Sequence, residues 1–415
     1  MAGHGGARGA ARRRGGAGLG GALLLLASAC GAPGTAPDTV ARDIQHTLDG
    51  RAAAVLARDA DGYLAAVDPG ATGLRAAQRT EFANLADVPL SSWEYRVAGV
   101  EREGGDRATV RAELRYRITG YDSVPVTAER ELELGRRDGR WYVTADRPGE
   151  DGGRQLWQQG DVQVVHGARS LVLGVGQSRA RLKGIAGDAD RAVPAVSAAW
   201  PGAWARRVVV LVPASLDGMA GLLGAPAAGY RGIAAVTTGE AGGSGTAPAD
   251  RVIVNPEAYG LLGDFGQRVV LTHETAHVAT RTHTSAATPM WLSEGFADWA
   301  AYRGTGRSAA QAAPELRRAV LGGTGPVELP GDAEFGFEGD AEDPDRLARG
   351  YEGGWLACEL IAEEWGEAKL TAFYRAVGAH PRREGAVEKA MNDVLATTPA
   401  EFTARWRDYL RERLG

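Results

Sequence analysis

Two histidines and a glutamate stand within five consecutive residues, His273-Glu274-Thr275-Ala276-His277. Histidines four positions apart lie on one face of an α-helix, so their imidazoles can bind the same metal ion. The glutamate between them can act as general base on a water molecule that a zinc ion activates. The segment therefore predicts a zinc site with hydrolytic chemistry, with His273 and His277 as ligands and Glu274 as base.

A third ligand is needed, because a catalytic zinc usually takes three protein ligands and keeps a fourth position open. Glu294 is the candidate, since sixteen residues separate it from His277, enough chain to end one helix, turn and begin another alongside. Thr288-Pro289 can begin that second helix, because proline is tolerated in a first turn. Asp298 follows Glu294 by one helical turn and is predicted to accept the other ring N–H of a metal-bound histidine.

The same residues allow a purely structural interpretation. In it, His273 and His277 are core histidines with satisfied hydrogen bonds, and Glu294 is a solvated surface acid. A bare H-E-x-x-H pattern arises by chance, but here the residue types and their spacing agree at four positions, which favours the metal site.

The sequence around the motif indicates a mixed sheet followed by helices. Helical periodicity covers 178–199, and a helix over 264–280 carries the zinc motif. A glycine-rich stretch at 240–250 is predicted to be a mobile loop. From 290 onward the pattern is helical, apart from an acidic, glycine-rich loop at 322–345. Short β-branched and apolar runs predict strands at 162–165, 170–173, 207–211, 233–237 and 252–254.

Residues 38–148 are predicted to form an α+β domain of their own. Helical periodicity over 38–67 and 74–85 gives way to alternating polar and apolar residues, which is typical of antiparallel strands. Gly104-Gly105 and Asp138-Gly139 mark hairpin turns. Helices followed by such a meander resemble the nuclear-transport-factor-2-like cone fold, and no catalytic constellation is evident in this part.

The N-terminus has the layout of a secretory signal, with basic residues at Arg12-Arg13-Arg14 and a short apolar run over 19–29. Cys30 follows small residues and resembles the lipidated cysteine of bacterial lipoproteins, which predicts an exported protein anchored to the outside of the cell membrane. Ordinary cleavage and secretion is the alternative. The predicted organisation is a signal at 1–30, a linker at 31–37, the α+β domain at 38–148, a linker at 149–154 and a metal-binding domain at 155–415 that is helical from about 290.

Length and charge narrow the class of protein. A chain of 415 residues allows two or three domains. The net charge of −5 argues against nucleic acid as the main partner.

HETAH together with Trp291-Leu292-Ser293-Glu294-Gly295-Phe296-Ala297-Asp298 resembles the gluzincin metallopeptidases, the clan of thermolysin-like proteases and zinc aminopeptidases. The resemblance implies a zincin-type domain and a peptide or protein substrate. The aminopeptidase branch also has a tyrosine about sixty residues later, and Gly350-Tyr351-Glu352-Gly353-Gly354 stands at that place. Tyr351 is thereby implied to donate a hydrogen bond to the oxyanion of the reaction.

One difference from the aminopeptidases concerns which peptide bonds the protein would cleave. The Gly-x-Met-Glu-Asn signature, with which aminopeptidases hold a free amino end, is absent, which favours an endopeptidase slightly over an aminopeptidase. Two other hypotheses stay open at this point: a non-catalytic cell-surface binding protein, and a zinc hydrolase of non-peptide substrates.

Overall fold

The computed structural model describes residues 39–150, 152–238, 250–336, 343 and 345–415. It confirms the mixed α+β class, with an antiparallel sheet, a mixed sheet and many helices. Residues 40–415 form one compact unit. The predicted signal at 1–30 with Cys30 and the linker at 31–37 lie outside the described residues, as do most of the predicted loop at 240–250 and part of that at 322–345. Among the helices described, none combines the length and apolarity that a bilayer crossing requires.

The N-terminal part begins with three helices and continues as a four-stranded antiparallel meander in the order β1-β2-β3-β4. Strand β2 shows why these residues form a sheet, since every second side chain along it is buried, as period-two alternation requires. The elements are α1 (Thr39–Leu56), α2 (Ala60–Ala65), α3 (Thr72–Asn84), β1 (Leu90–Arg102), β2 (Arg107–Ile118), β3 (Val126–Arg137) and β4 (Arg140–Pro148).

The single helix predicted over 38–67 is wrong, because the chain breaks between α1 and α2. Arg58 takes a left-handed backbone conformation with φ of 57°. Asp59 then caps the next helix, and its side chain accepts a hydrogen bond from the backbone N–H of Gly62. Apolar periodicity continues through this break, so it did not reveal the cap.

The second sheet has the strand order β5-β6-β7-β9-β8. Its central strands β6, β7 and β9 are parallel, and the edge strands β5 and β8 run antiparallel to their neighbours. Buried β-branched and leucine side chains fill β6 and β7, as expected for strands covered on both faces. The elements are β5 (Gln163–His166), β6 (Ser170–Gly174), α4 (Arg179–Ala199), β7 (Val208–Val212), α5 (Leu216–Leu223), β8 (Ala235–Thr237), β9 (Val252–Val254) and α6 (Pro256–Leu261).

The two sheets share one hydrophobic core. Val110 of the first sheet belongs to the same buried cluster as Leu211 and Ile253 of the second. Arg251 and Asp122 add a buried, bidentate ion pair across this junction, with nitrogen–oxygen distances of 2.7 and 2.8 Å. The two sheets on either side of the predicted linker at 149–154 therefore do not have separate cores.

The remaining chain is helical and forms a second core around Trp291, Phe296, Trp355 and Phe373. Phe335 also joins this core, so the predicted loop at 322–345 contributes a buried aromatic side chain. The helices are α7 (Asp264–Thr280), α8 (Met290–Tyr302), α9 (Ala309–Ala312), α10 (Pro314–Leu321), α11 (Arg346–Glu364), α12 (Glu367–Gly378), α13 (Ala386–Ala390) and α14 (Pro399–Leu414).

Helices α8 and α11 contact each other through their backbones, because glycines stand at the crossing. A Cβ atom on Gly295 would lie 2.2 Å from the carbonyl oxygen of Gly354. A Cβ on Gly354 would lie 2.6 Å from the carbonyl oxygen of Trp291. Such separations exclude any side chain, so these glycines allow α11, which carries Tyr351, to pack directly against α8, which carries Glu294.

We expect Gly354→Ala to lower the free energy of unfolding by about 1–3 kcal/mol, the usual cost of forcing an extra methyl group into a packed contact. Chemical denaturation measures this change. Gly184→Ala is the matched control, since Gly184 lies in α4 with no heavy atom within 4 Å of an added Cβ, and alanine is the better helix former. Equal stability of Gly354→Ala and the wild type would show that the two helices separate easily.

Candidate metal centre

Helix α7 lies between the mixed sheet and the helical core. Its buried side chains Leu271, Ala276 and Ala279 pack into the two hydrophobic clusters on either side. A helix fixed on both sides holds its remaining face, with His273 and His277, toward α8. The zinc motif thus lies on a rigid element, which precise ligand geometry requires.

The three predicted ligands converge. The Nε2 atoms of His273 and His277 lie 3.0 Å apart. Oε2 of Glu294 lies 3.2 Å from Nε2 of His273 and 3.4 Å from Nε2 of His277. Glu294 is 1% exposed and His277 is 4% exposed, so the structural interpretation of Glu294 as a surface acid is wrong. Among the residues that the structure describes, this is the one group of acids, cysteines and histidines arranged to hold a metal ion.

The spacing of these atoms fits a tetrahedral zinc ion. Zinc bonds of about 2.0–2.2 Å in a tetrahedron separate the ligand atoms by roughly 3.3–3.6 Å. The three observed separations, 3.0, 3.2 and 3.4 Å, lie close to that range.

The hydrogen-bonding groups of His273 and Glu294 also favour a metal ion at this position. Nδ1 of His273 lies 2.7 Å from Oδ1 of Asp298. If Nδ1 of a neutral imidazole donates there, Nε2 carries a lone pair, and it faces another acceptor, Oε2 of Glu294. Oε1 of Glu294 is buried and accepts no hydrogen bond from any described residue. In that protonation state two acceptors face each other beside an unsatisfied carboxylate oxygen, an arrangement that a bound cation would satisfy.

The pKa shifts of His273 and Glu294 are consistent with a group of ligand atoms that carries net negative charge. Burial opposes charge on His273, yet the carboxylates of Asp298 and Glu294 raise its pKa to about 10. Burial also opposes charge on Glu294, but the two imidazoles hold the pKa of Glu294 far below its usual value. The surroundings therefore stabilise positive charge where the ligand atoms meet.

Glu274, the predicted base, is 5% exposed. The hydroxyl Oγ1 of Thr237 lies 2.7 Å from Oε2 of Glu274 and 3.1 Å from its backbone oxygen. Sequence analysis missed Thr237, because it is an ordinary threonine in a short strand, and only the sheet order brings that strand beside α7.

Tyr351 lies partly buried on α11 beside the centre. Its ring centroid is 6.1 Å from that of His273 and 5.3 Å from that of Phe335, against which it packs edge to face. The structure thus brings Tyr351 near the ligands, and its role as oxyanion donor stays a prediction.

The connection between α7 and α8 is held by Tyr374, a second residue that sequence analysis missed. The Tyr374 side chain is fully buried in α12, and its hydroxyl oxygen lies 2.7 Å from Oγ1 of Thr284. Burial raises the pKa of Tyr374, and the nearby hydroxyl groups of Thr280, Thr284 and Ser293 act in the opposite direction. Because Thr284 lies in the connection between α7 and α8, this contact helps to fix the helix that carries Glu294 relative to the helix that carries the two histidines.

Comparison with known proteins does not assign a family. No family model and no curated protein matches the chain. A solved structure of a SEC-C motif containing protein from Rhodopseudomonas palustris is 21% identical, with a match that covers 27% of this chain and 91% of that protein and a TM-score of 0.19. A likeness of that degree says nothing about fold or function here, so the geometry of the centre carries the functional argument.

We expect Asp298→Asn to weaken zinc binding about ten- to a hundredfold, because it removes the carboxylate that orients His273. His277→Ala should abolish stoichiometric zinc binding, since it removes a ligand. Competitive titration against a chromogenic chelator and metal analysis measure both effects. Asp264→Asn, which removes an exposed carboxylate at the start of the same helix, is the control, and an equal loss in it would contradict an orienting role for Asp298.

Proposed function

We propose that this chain is a zinc-dependent hydrolase that cleaves peptide bonds. The convergence of His273, His277 and Glu294 around a point with an unsatisfied buried carboxylate oxygen carries the proposal. The position of Glu274 on the same helix, one residue from a ligand, supports a hydrolytic centre over a purely structural zinc site. The resemblance of HETAH and WLSEGFAD to the gluzincin metallopeptidases supports a peptide or protein as substrate.

Each residue near the centre has a distinct task in this mechanism. When bound, zinc supplies a Lewis acid and lowers the pKa of a water molecule toward about 7. The carboxylate of Glu274 accepts a proton from the attacking water and later delivers it to the nitrogen of the leaving amine. The hydroxyl of Tyr351 donates a hydrogen bond to the oxygen of the former carbonyl group. Asp298 holds His273 in the tautomer whose Nε2 carries the lone pair.

The element order supports the two finer fold assignments. We propose a nuclear-transport-factor-2-like cone for 38–148, since three helices precede a four-stranded antiparallel meander. We propose a zincin-type domain for 155–415, because a mixed sheet with an antiparallel edge strand, β8, lies against the helix that bears the zinc motif.

Cleavage specificity and location are proposed on the basis of the sequence alone. The absence of the Gly-x-Met-Glu-Asn signature favours an endopeptidase, and the segment around Cys30 supports an exported protein, either lipid-anchored outside the cell or secreted. Palmitate labelling in a bacterial host, with Cys30→Ala as comparison, distinguishes anchoring from simple secretion.

We expect Glu274→Gln to retain one equivalent of zinc and to lose about a hundred- to ten-thousandfold in kcat, because an amide of the same shape cannot accept the proton. Digestion of casein and of internally quenched peptides, with metal analysis of the same samples, measures both quantities. Glu388→Gln, an exposed acid on α13, is the control.

The outcomes separate the competing hypotheses. Full activity of Glu274→Gln would remove Glu274 from the mechanism. A wild-type protein that binds zinc but cleaves only esters or other non-peptide substrates supports the alternative of a zinc hydrolase that does not act on peptides. A wild-type protein that binds no zinc supports a non-catalytic surface protein.

A further inference from the structure

The carboxylate of Glu274 meets the hydroxyl of Thr237, which lies on an element distant in sequence. Oγ1 of Thr237 lies 2.7 Å from Oε2 of Glu274, within the range of a strong hydrogen bond to a carboxylate. Both residues are buried, Thr237 at 2% and Glu274 at 5% exposure. A contact so protected from water keeps its geometry, since no solvent competes for the hydroxyl.

Thr237 is itself held in place. It ends β8 and pairs with Val252 of β9. The next residue, Thr238, is bound from two sides: its carbonyl oxygen accepts a hydrogen bond of 2.7 Å from Arg281, and its hydroxyl accepts one of 2.9 Å from the backbone N–H of Arg251. Arg281 directly follows α7, so the helix that carries Glu274 also anchors the strand that carries Thr237.

We propose that Thr237 is the positioning residue for the general base, an inference that rests on the role proposed for Glu274. The last torsion angle of a glutamate side chain has a broad, weakly defined energy minimum. A donor fixed on a neighbouring strand restricts that rotation and holds the carboxylate in one orientation. A displacement of about 1 Å at a reacting group can lower the rate about a hundredfold. Holding the carboxylate in place therefore preserves much of the rate that the base contributes.

Kinetics of three variants test the inference. Thr237→Val removes the hydroxyl but keeps the branched shape, and we expect kcat to fall about ten- to a hundredfold with little change in KM and one equivalent of zinc retained. Thr237→Ser keeps the donor and should restore most of the rate. Thr275→Val is the matched control, because Thr275 is equally buried in the zinc motif but donates to the backbone oxygen of Leu271.

A measurement without metal or substrate tests the same contact. The melting temperature of the metal-free protein is compared among wild type, Thr237→Val, Glu274→Ala and the double variant. If the hydroxyl acts on the Glu274 carboxylate, Thr237→Val lowers the melting temperature clearly in the wild-type background and much less in the Glu274→Ala background. Equal losses in both backgrounds would show that the hydroxyl acts through the backbone oxygen of residue 274 or within the strand, and not on the carboxylate, and would overturn the inference.

The failure of this inference is distinct from failure of the proposed function. A wild-type protein without zinc binding or hydrolysis refutes the function, and the melting temperatures still report on the contact. An active wild type in which Glu274→Gln is inactive and Thr237→Val has normal kcat refutes the positioning role alone. Loss of rate in both Thr237→Val and Thr237→Ser would show that packing of the threonine methyl group, and not the hydroxyl, matters.

Discussion

The burial of the Glu294 carboxylate constrains how the helices around the candidate metal centre pack. Glu294 is almost completely inaccessible, with one oxygen facing two imidazoles and the other without a hydrogen bond from any described residue. Removing an ion from water costs several kcal/mol. A protein can keep such a group ionised where nearby cationic groups or hydrogen-bond donors offset that cost. The two helices that carry the histidines and the glutamate must approach closely and stay fixed for the imidazoles to do so.

Three separate contacts fix the positions of the helices that carry these residues. Glycines at the crossing of α8 and α11 permit direct backbone contact and bring Tyr351 beside His273. Tyr374 ties the connection between α7 and α8 to the helical core. On the opposite side, β8 lies against α7 and supplies the hydroxyl that meets Glu274. Each contact comes from a different part of the chain, so the centre is stabilised by the whole compact unit.

The N-terminal sheet takes part in this support. Its core is continuous with that of the mixed sheet, and Asp122 pairs with Arg251 at the beginning of β9. The neighbouring residue Asp250 pairs with Arg281 at the end of α7. A series of buried and half-buried charges thus connects the first sheet with the strands next to the predicted base, which gives the N-terminal sheet a structural role.

Local patterns in the sequence predicted most of the elements and the residues that meet at the candidate metal centre. Helix α7 begins and ends where the sequence predicted, and the spacing of His273 and His277 was enough to place both on one face, because helical geometry is local. Glu294 was also predicted to join them, but its position depends on the packing of α8 against α7. The sequence did not reveal the break between α1 and α2, where a capping contact overrides periodicity. By contrast, the contacts of Thr237 and Tyr374, the shared core and the glycine crossing could not be predicted from local patterns. These contacts depend on which strand lies at the edge of the sheet and which helices cross. Local sequence patterns do not specify such long-range arrangements.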